Sequence, residues 1–176
     1  MAIVSSAALT ALLVLVALGA TMLLEAALSR HNERSLRARG AVEPPDDVYA
    51  YMRIAYPLGF VLIAAEGSLN GVLPRERLLW GVAVFTLAKA LKYWVMTTLG
   101  SLWSFRVLVI PGQPLVTRGP YAYVRHPNYV AVLGEYVGVA LVLSAPLAGL
   151  IVTAGFGALL WRRIQVEERA LGLRHG

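Results

Sequence analysis

The chain has 176 residues, of which 58% are hydrophobic and only 15% charged, and its mean hydropathy is +0.65. Soluble domains are less apolar than this, so the composition indicates a single integral membrane domain. The absence of cysteine excludes disulfides, a thiolate nucleophile and cysteine metal sites. The three histidines, His31, His126 and His175, are far apart, and their spacing predicts no metal site.

A net charge of +6 raises nucleic-acid binding as an alternative. The lysines and arginines flank apolar segments, however, and do not form a basic stripe between aromatic residues. Membrane topology explains this distribution better, so we predict a lipid bilayer as the partner and no nucleic acid.

Apolar segments predict about five transmembrane helices and an all-α fold. Residues 3–28 are long enough to cross an apolar core of about 30 Å, and they lack the basic start of a cleaved signal peptide. Residues 50–69 and 78–99 give the second and third helices. Residues 129–161 are broken by Ser-Ala-Pro at 144–146, which predicts a C-terminal hairpin of two short helices.

Three regions carry most of the basic residues: residues 30–48, residues 100–128 and the C-terminal tail. With five helices, all three regions lie at one end of the bundle. The positive-inside rule then predicts that this end is cytoplasmic and that the N-terminus is outside.

Residues 100–128, termed the cap here, form the longest polar connection. They contain aromatic and β-branched residues, turn signals and four prolines, and RVLVI at 106–110 suggests a short extended piece. Such a composition predicts a structured cap over the cytoplasmic mouth of the bundle and not a floppy linker.

The cap ends in RHPNY, residues 125–129. His126-Pro127 predicts a helix start, because the residue before a proline avoids helical geometry and proline is tolerated in the first turn. Free backbone N–H groups and the positive end of the helix dipole lie there, beside Arg125 and Tyr129. The combination suits an anionic or nucleoside-like ligand. An interfacial anchor is the alternative, since Arg and Tyr are common at the headgroup level.

The tail WRRIQVEERAL, residues 161–171, places Glu167 and Glu168 after a basic amphipathic start. Adjacent residues point about 100° apart on a helix, so one acid could serve a site while the other pairs with Arg163 or Arg169. An amphipathic helix solvated at the membrane surface is the alternative.

Ionisable residues also occur within the apolar segments. Lys89 and Lys92 lie on one helix face, and Glu135 lies beyond the RHPNY helix start. Charges in a membrane usually face a cavity or a partner, so a Glu135–lysine pair is one interpretation and snorkelling of Lys92 another. Gly134 and Gly138 are four residues apart, which predicts close helix packing.

Taken together, LVTRGPYAYVRHPNY (115–129), the helical hairpin and VEERAL (166–171) resemble the isoprenylcysteine carboxyl methyltransferase family. Its members are integral membrane enzymes that use S-adenosylmethionine. The family pattern is Arg-His-Pro-x-Tyr, then two hydrophobic segments, then two glutamates, and it occurs here in order over roughly residues 75–172. The first helix and RHNERSLRARGAVE (30–43) look like a bacterial branch similar to O-methyltransferases for alkylresorcinol or alkylpyrone lipids.

The resemblance implies one membrane methyltransferase domain over residues 1–176, with its cofactor-binding part at roughly 100–172. The residues that match the cofactor motif and the acidic pair are Tyr121, Arg125, His126, Pro127, Tyr129, Glu167 and Glu168. Ala131 stands where many relatives carry glycine, which predicts tighter packing of that helix against the cofactor.

The resemblance also implies methyl transfer to an oxygen of a lipophilic acceptor. Arg106 is predicted to orient an acidic acceptor, with a lipid phosphate contact as its alternative. A carboxylate needs only orientation, whereas a phenol or pyrone enol would benefit from a base, for which His126, Glu135 and a lysine are candidates. The acceptor stays open between a polyketide phenol or pyrone, a prenylcysteine and another small lipid. A membrane scaffold or a transporter subunit is the non-enzymatic alternative.

Overall fold

The computed structural model describes residues 6–70 and 75–173. These residues form five α-helices: α1 Ser6–Ala38, α2 Tyr49–Leu69, α3 Arg75–Leu99, α4 Pro127–Val142 and α5 Pro146–Ala170. All except α4 are long and apolar enough to cross a membrane, and the 16 residues of α4 extend over about 24 Å. The predicted all-α integral membrane fold is therefore confirmed, with α4 as its short helix.

Helix α1 continues beyond the predicted first span. It reaches Ala38, whereas the charged residues from position 30 onward were expected in a loop. These positions are rich in Arg, Glu, Leu and Ala, which favour helix in spite of their charge. Asn32 is buried there and donates hydrogen bonds to the carbonyl oxygens of Gly100 and Trp103 at 3.2 and 2.8 Å. The end of α1 therefore holds the cap.

Helix α2 lies at the centre of the apolar core and packs against α1, α4 and α5. The ring centroids of Phe60 and Phe156 lie 4.6 and 5.4 Å from that of Tyr136. Gly59 packs directly on Tyr136, where a Cβ would come within 2.8 Å of the ring, so a larger residue would push α4 away. The helix runs through Pro57 without a break.

The predicted break at residues 144–146 is confirmed, because α4 and α5 form a hairpin there. Only α4 is short, however, since α5 continues through the C-terminal segment and has 25 residues. Glu66 of α2 accepts hydrogen bonds from the backbone N–H groups of Leu147 and Ala148 at 3.2 and 2.5 Å. A carboxylate at a helix N-terminus satisfies free N–H groups and opposes the helix dipole. Glu66 thus ties the hairpin to α2.

Helix α3 packs along the length of α4. A Cβ at Gly138 would lie 2.7 Å from the backbone nitrogen of Phe85, and one at Gly134 would lie 2.9 Å from the Cβ of Ala88. The close helix contact predicted from these two glycines is therefore confirmed.

The cap covers the end of the bundle where α3 finishes and α4 begins. It contains two 3₁₀ turns, Gly100–Leu102 and Gly119–Ala122, and its last two residues belong to α4. Val109 forms an isolated antiparallel bridge with Val42. The RVLVI piece thus contains one bridge residue, and the described residues form no sheet.

The end of α5 contacts this same end of the bundle. Arg163 binds Asp47 at 3.1 Å and the carbonyl oxygen of Phe105, and Arg169 pairs with Asp46. The amphipathic C-terminal segment is the last part of α5 and not a separate helix. The three basic regions therefore lie together, as an odd number of spans requires.

Candidate active site

A cavity of about 880 Å³ lies between the cap and the five helices. Its wall combines polar and apolar side chains, and both the cap and the helices contribute each kind. Polar lining residues include Arg106, Asn128, Tyr129 and Glu167, and apolar ones include Met22, Leu23, Phe156 and Leu160. Its volume lies in the upper part of the range of roughly 300–1,000 Å³ usual for small-molecule sites.

The polar group beside the cap, termed the cap site, consists of His126, Tyr129, Arg163, Glu167 and Glu168. The Tyr129 hydroxyl donates to Glu167 Oε2 at 2.6 Å and accepts from Arg163 Nε at 3.0 Å. Arg163 is only 5% exposed and is held by the ion pair to Asp47. Its guanidinium therefore fixes the ring of Tyr129 and, through it, the carboxylate of Glu167.

His126 connects the two acids of the cap site. Its Nδ1 lies 3.6 Å from Glu167 Oε2, its Nε2 lies 3.3 Å from Glu168 Oε1, and its ring stacks on Tyr129 with centroids 5.5 Å apart. The neighbouring carboxylate of Glu167 is the main cause that raises the pKa of His126. Both glutamates therefore contact one imidazole, although they are adjacent in sequence.

The other residues of the predicted cofactor motif surround this group. The Arg125 side chain is 82% exposed, and its Nη1 lies 4.0 Å from Glu168 Oε1, so it is free to turn toward a ligand. Tyr121 lines the cavity from the second 3₁₀ turn, and burial raises the pKa of its hydroxyl. Pro127 begins α4 and is buried. Ala131 is also buried and does not line the cavity, so its methyl group packs between helices.

Arg106 lines the cavity at the cap but already has partners. Its Nη1 lies 2.5 Å from Glu43 Oε1, its Nε lies 3.6 Å from Glu33 Oε2, and its guanidinium lies 4.6 Å from the ring centroid of Tyr49. The hydrogen bond with Glu43 is the main cause that raises the pKa of Arg106. The structure thus places Arg106 at the cavity, and its role toward an acceptor stays a prediction.

Glu135 lies in a second polar group, deeper in the bundle. This group, termed the charge layer, consists of Glu25 from α1, Tyr56 from α2, Lys89 and Lys92 from α3, and Glu135 from α4. Lys89 Nζ lies 2.9 Å from Glu25 and 3.1 Å from Glu135, and Lys92 Nζ lies 2.7 and 3.2 Å from the same two carboxylates. The predicted Glu135–lysine pair is confirmed, and Lys92 is buried in it without snorkelling.

Tyr56 joins the charge layer to the cavity. Its hydroxyl donates to Glu135 Oε2 and accepts from Lys92 Nζ at 3.2 Å. Tyr56 and Lys92 both line the cavity, whereas Glu135 is completely buried behind them. The cap site and the charge layer therefore line the same cavity.

Sequence reasoning missed Tyr56, Glu25 and Asp47 as members of these groups. Glu25 carried a usable signal, because it is the one acid in the first apolar segment and two lysines elsewhere in the membrane require partners. Tyr56 and Asp47 carried none, since each obtains its role from contacts with distant parts of the chain.

The fold and site define a helical membrane protein with a polar site closed by RHPNY and a glutamate pair. The chain belongs to the isoprenylcysteine carboxyl methyltransferase (ICMT) family, whose model matches residues 81–172, from α3 to just past the end of α5. This confirms the family resemblance drawn from the motifs and supports a methyltransferase-like function.

Two relatives are similar over most of the chain. "Uncharacterized protein YpbQ" of Bacillus subtilis is 33% identical over 147 residues, which cover 84% of this chain and 88% of the relative. An "Uncharacterized protein" of Haemophilus influenzae is 24% identical over 145 residues, or 82% and 84% of the two chains. No solved structure shows a significant match to the chain.

Proposed function

We propose that this protein is a membrane-embedded O-methyltransferase that uses S-adenosylmethionine to methylate a lipophilic acceptor. One observation carries the proposal: a single cavity joins the polar cap site to an apolar region between the helices. A transfer between a polar donor and a lipid needs a site with these two environments. Residues 100–172 supply the cofactor-binding part of what we propose is one domain over residues 1–176.

The lining of the cap region fits the donor. Asn128 Oδ1 and Trp103 Nε1 are buried at residues that line the cavity and have no hydrogen-bond partner among the described residues. With the carboxylates of Glu167 and Glu168 and the exposed Arg125, they give a mixed set of donors and acceptors. S-adenosylmethionine presents a carboxylate, an ammonium, a ribose diol and an adenine, which need such a mixed set.

The chain's own residues would hold the donor as follows. Arg125 would pair with its carboxylate, and Glu167 or Glu168 would accept from the ammonium or the ribose hydroxyls. The rings of Tyr121 and Tyr129 suit the adenine or the positive sulfonium. His126 and Pro127 set the start of α4 and so the position of Tyr129. When bound, the donor supplies an electrophilic methyl group.

The acceptor would enter from the bilayer. Leu23 of α1 lines the cavity and is 70% exposed, so the cavity wall includes an exposed apolar position of this helix. We propose that a lipid tail lies against this wall while its oxygen points toward the cap site. The acceptor classes are a phenolic or pyrone polyketide lipid, as in the similar bacterial branch, and a prenylcysteine or other small lipid.

The topology follows the basic residues. We propose that the cap end faces the cytoplasm of a bacterial cell, where the donor is made, and that the N-terminus lies outside. Arg106 and Glu135 are the proposed catalytic residues, Arg106 to orient an acidic acceptor and Glu135 as part of a route for a proton.

Cofactor titration tests the proposal directly. Purified protein in detergent is titrated with S-adenosylmethionine and with S-adenosylhomocysteine by calorimetry. Labelled donor is then incubated with the protein and a panel of a prenylcysteine, an alkylresorcinol and an alkylpyrone, and the products are identified by mass spectrometry. We expect binding and one methylated class. Absence of binding would contradict the proposal and favour a scaffold or transporter subunit.

A matched pair of arginine variants locates the donor. Arg125→Ala removes the exposed guanidinium next to Glu168, and Arg118→Ala removes another exposed arginine of the cap that does not line the cavity. We expect Arg125→Ala to weaken donor binding by roughly tenfold, as for the loss of one charge-assisted hydrogen bond. Unchanged affinity in Arg125→Ala would remove this residue from the site.

A further inference from the structure

Tyr56, Lys92 and Glu135 lie at one level of the bundle. Tyr56 is about 10 Å along α2 from its start, Lys92 about 10 Å from the end of α3, and Glu135 about 12 Å from the start of α4, by helix rise. Tyr129 lies in the first turn of α4, about 9 Å from Glu135 along the same helix. The charge layer is therefore below the cap site, toward the apolar part of the shared cavity.

The contacts at this level leave acceptor positions free. Lys92 Nζ donates to the Tyr56 hydroxyl at 3.2 Å and to Glu135 Oε2 at 3.3 Å, whereas Glu25 Oε2 and Glu135 Oε1 accept no hydrogen bond from the described residues. The hydroxyl proton of Tyr56 is itself donated to Glu135. The oxygen of Tyr56 retains one lone pair, and Tyr56 lines the cavity. A ligand group at this point must therefore donate a hydrogen bond.

The charge balance of the layer leads to the same requirement. Two carboxylates face two ammonium groups, and all four residues are buried. A carboxylate ligand would add a third negative charge in apolar surroundings, and such a charge carries a large desolvation penalty. A neutral hydroxyl adds no charge and supplies the missing donor.

We propose that Tyr56 binds the acceptor's hydroxyl and passes its proton to Glu135, so that the enzyme methylates hydroxyl lipids such as phenols or enols and not carboxylates. This inference rests on the proposed methyltransferase function. It adds Tyr56 to the residues that touch the substrate, and it selects one of the acceptor classes left open above.

The proton transfer keeps the buried charge constant. The acceptor's O–H bond breaks and its proton moves to the oxygen of Tyr56, while the phenolic proton of Tyr56 moves to Glu135 Oε2. Glu135 becomes a neutral acid, and the acceptor oxygen keeps the electron pair. That pair forms the new C–O bond to the methyl group of the sulfonium donor, whose C–S pair stays on sulfur. Lys92, which lines the cavity and is relieved of one carboxylate charge, then stabilises the acceptor oxyanion.

A carboxylate acceptor would select a different part of the cavity. Arg30, Arg53 and Arg106 line it nearer the cap, and their guanidinium groups are the natural partners of a carboxylate. Binding there would leave Tyr56 without a contact to the acceptor. The two classes of acceptor therefore predict opposite effects for a change at Tyr56.

The first test uses binding alone, without the methyl donor. An alkylphenol and its methyl ether, with the same alkyl tail, are titrated into the detergent-solubilised protein. Wild-type protein is expected to bind the phenol roughly tenfold more tightly than the ether, because only the phenol can donate to Tyr56. Equal binding of the two compounds would overturn the inference and needs no variant.

A matched pair of tyrosine variants assigns this preference to one hydroxyl. Tyr56→Phe and Tyr136→Phe each remove a buried hydroxyl, and Tyr136 donates to the backbone oxygen of Tyr56 at 2.9 Å without lining the cavity. Tyr56→Phe is expected to abolish the preference for the phenol, and Tyr136→Phe to retain it. A preference that survives in Tyr56→Phe would overturn the inference.

Methyl-transfer assays then distinguish a failure of the role given to Tyr56 from a failure of the proposed methyltransferase function. Tyr56→Phe is expected to lower kcat by roughly 100-fold, as for loss of a general base, with donor affinity unchanged. Preferred methylation of a carboxylate with the same tail would overturn the role of Tyr56 and keep the methyltransferase function. No methyl transfer by the wild type, with the phenol preference intact, would overturn that function and keep Tyr56 as a ligand-binding residue.

Discussion

The cap site and the charge layer line one cavity but are built in different ways. The cap site takes all its residues except Arg163 from the motifs RHPNY and VEE, and it is partly exposed, with Glu167 as a 30% exposed side chain. The charge layer takes one or two residues from each of four helices, and its ionic side chains are at most 11% exposed. The first arrangement suits an exchangeable polar ligand. The charge layer forms only when its four helices have packed together.

We expect the two groups to contribute differently to the stability of the fold and to ligand affinity. Ion pairs at the surface contribute little to stability, whereas a buried charge that loses its partner is strongly destabilising. We therefore expect changes in the charge layer to lower the free energy of unfolding, and changes in the cap site to lower the affinity for the methyl donor. Three predictions follow this division, in order of decreasing effect.

The largest effect is expected from Lys92→Met. The variant leaves the buried carboxylates of Glu25 and Glu135 to share Lys89 alone. The free energy of unfolding in detergent should fall by about 3 kcal/mol or more. Chemical denaturation followed by tryptophan fluorescence measures it.

The control for this variant is Arg169→Met, which breaks an ion pair whose side chains are about half exposed. It should cost less than about 1 kcal/mol. Adding Glu135→Gln to Lys92→Met removes one of the unpaired charges and should recover part of the loss. Equal destabilisation by Lys92→Met and Arg169→Met would show that the charge layer is not the buried network described here.

The sequence predicted the spans and the hairpin because these depend on local features. Apolar runs of sufficient length give helices in a membrane, and Ser-Ala-Pro at 144–146 ends one helix and begins the next. The cap-site residues were also predictable, since RHPNY places His126 before a proline and Tyr129 in the first turn of α4. Each of these signals lies within a few residues of its effect.

The remaining features depend on contacts between distant segments. Arg163 fixes Tyr129 because Asp47, 116 positions away, holds its guanidinium. Residues 30–38 are helical although their charge suggested a loop, because helix propensity and the contacts of Asn32 outweigh their polarity. Tyr56 is marked by nothing in its own segment. Sequence patterns specify which residues face inward, and tertiary packing decides which of them meet.

The second prediction concerns Glu167→Gln in the cap site. The amide can still accept the hydrogen bond of Tyr129, but it loses the charge that faces His126 and the bound donor. Donor affinity should fall by roughly tenfold or more, with a small change in stability. Isothermal titration calorimetry measures the affinity.

Glu43→Gln is the matched control for Glu167→Gln, because Glu43 also pairs with basic side chains, Arg37 and Arg106, but does not itself line the cavity. It should leave donor affinity unchanged. A loss of stability in Glu167→Gln as large as that of Lys92→Met, with donor affinity retained, would assign a structural role to the acidic pair and contradict the proposed division.

The smallest effect is expected from the pH dependence of His126. Its folded-state pKa is raised above the ordinary value of 6.5, mainly by the carboxylate of Glu167, so its proton stabilises the folded protein. This contribution is fully present below about pH 6.5 and is lost as the pH rises through the folded-state pKa. His126→Gln should therefore lower Tm most at about pH 6 and least at about pH 8.5. At about pH 6 the loss in the free energy of unfolding should be less than about 1 kcal/mol. A difference from wild type that stays constant over this range would show that His126 is not charged in the cap site.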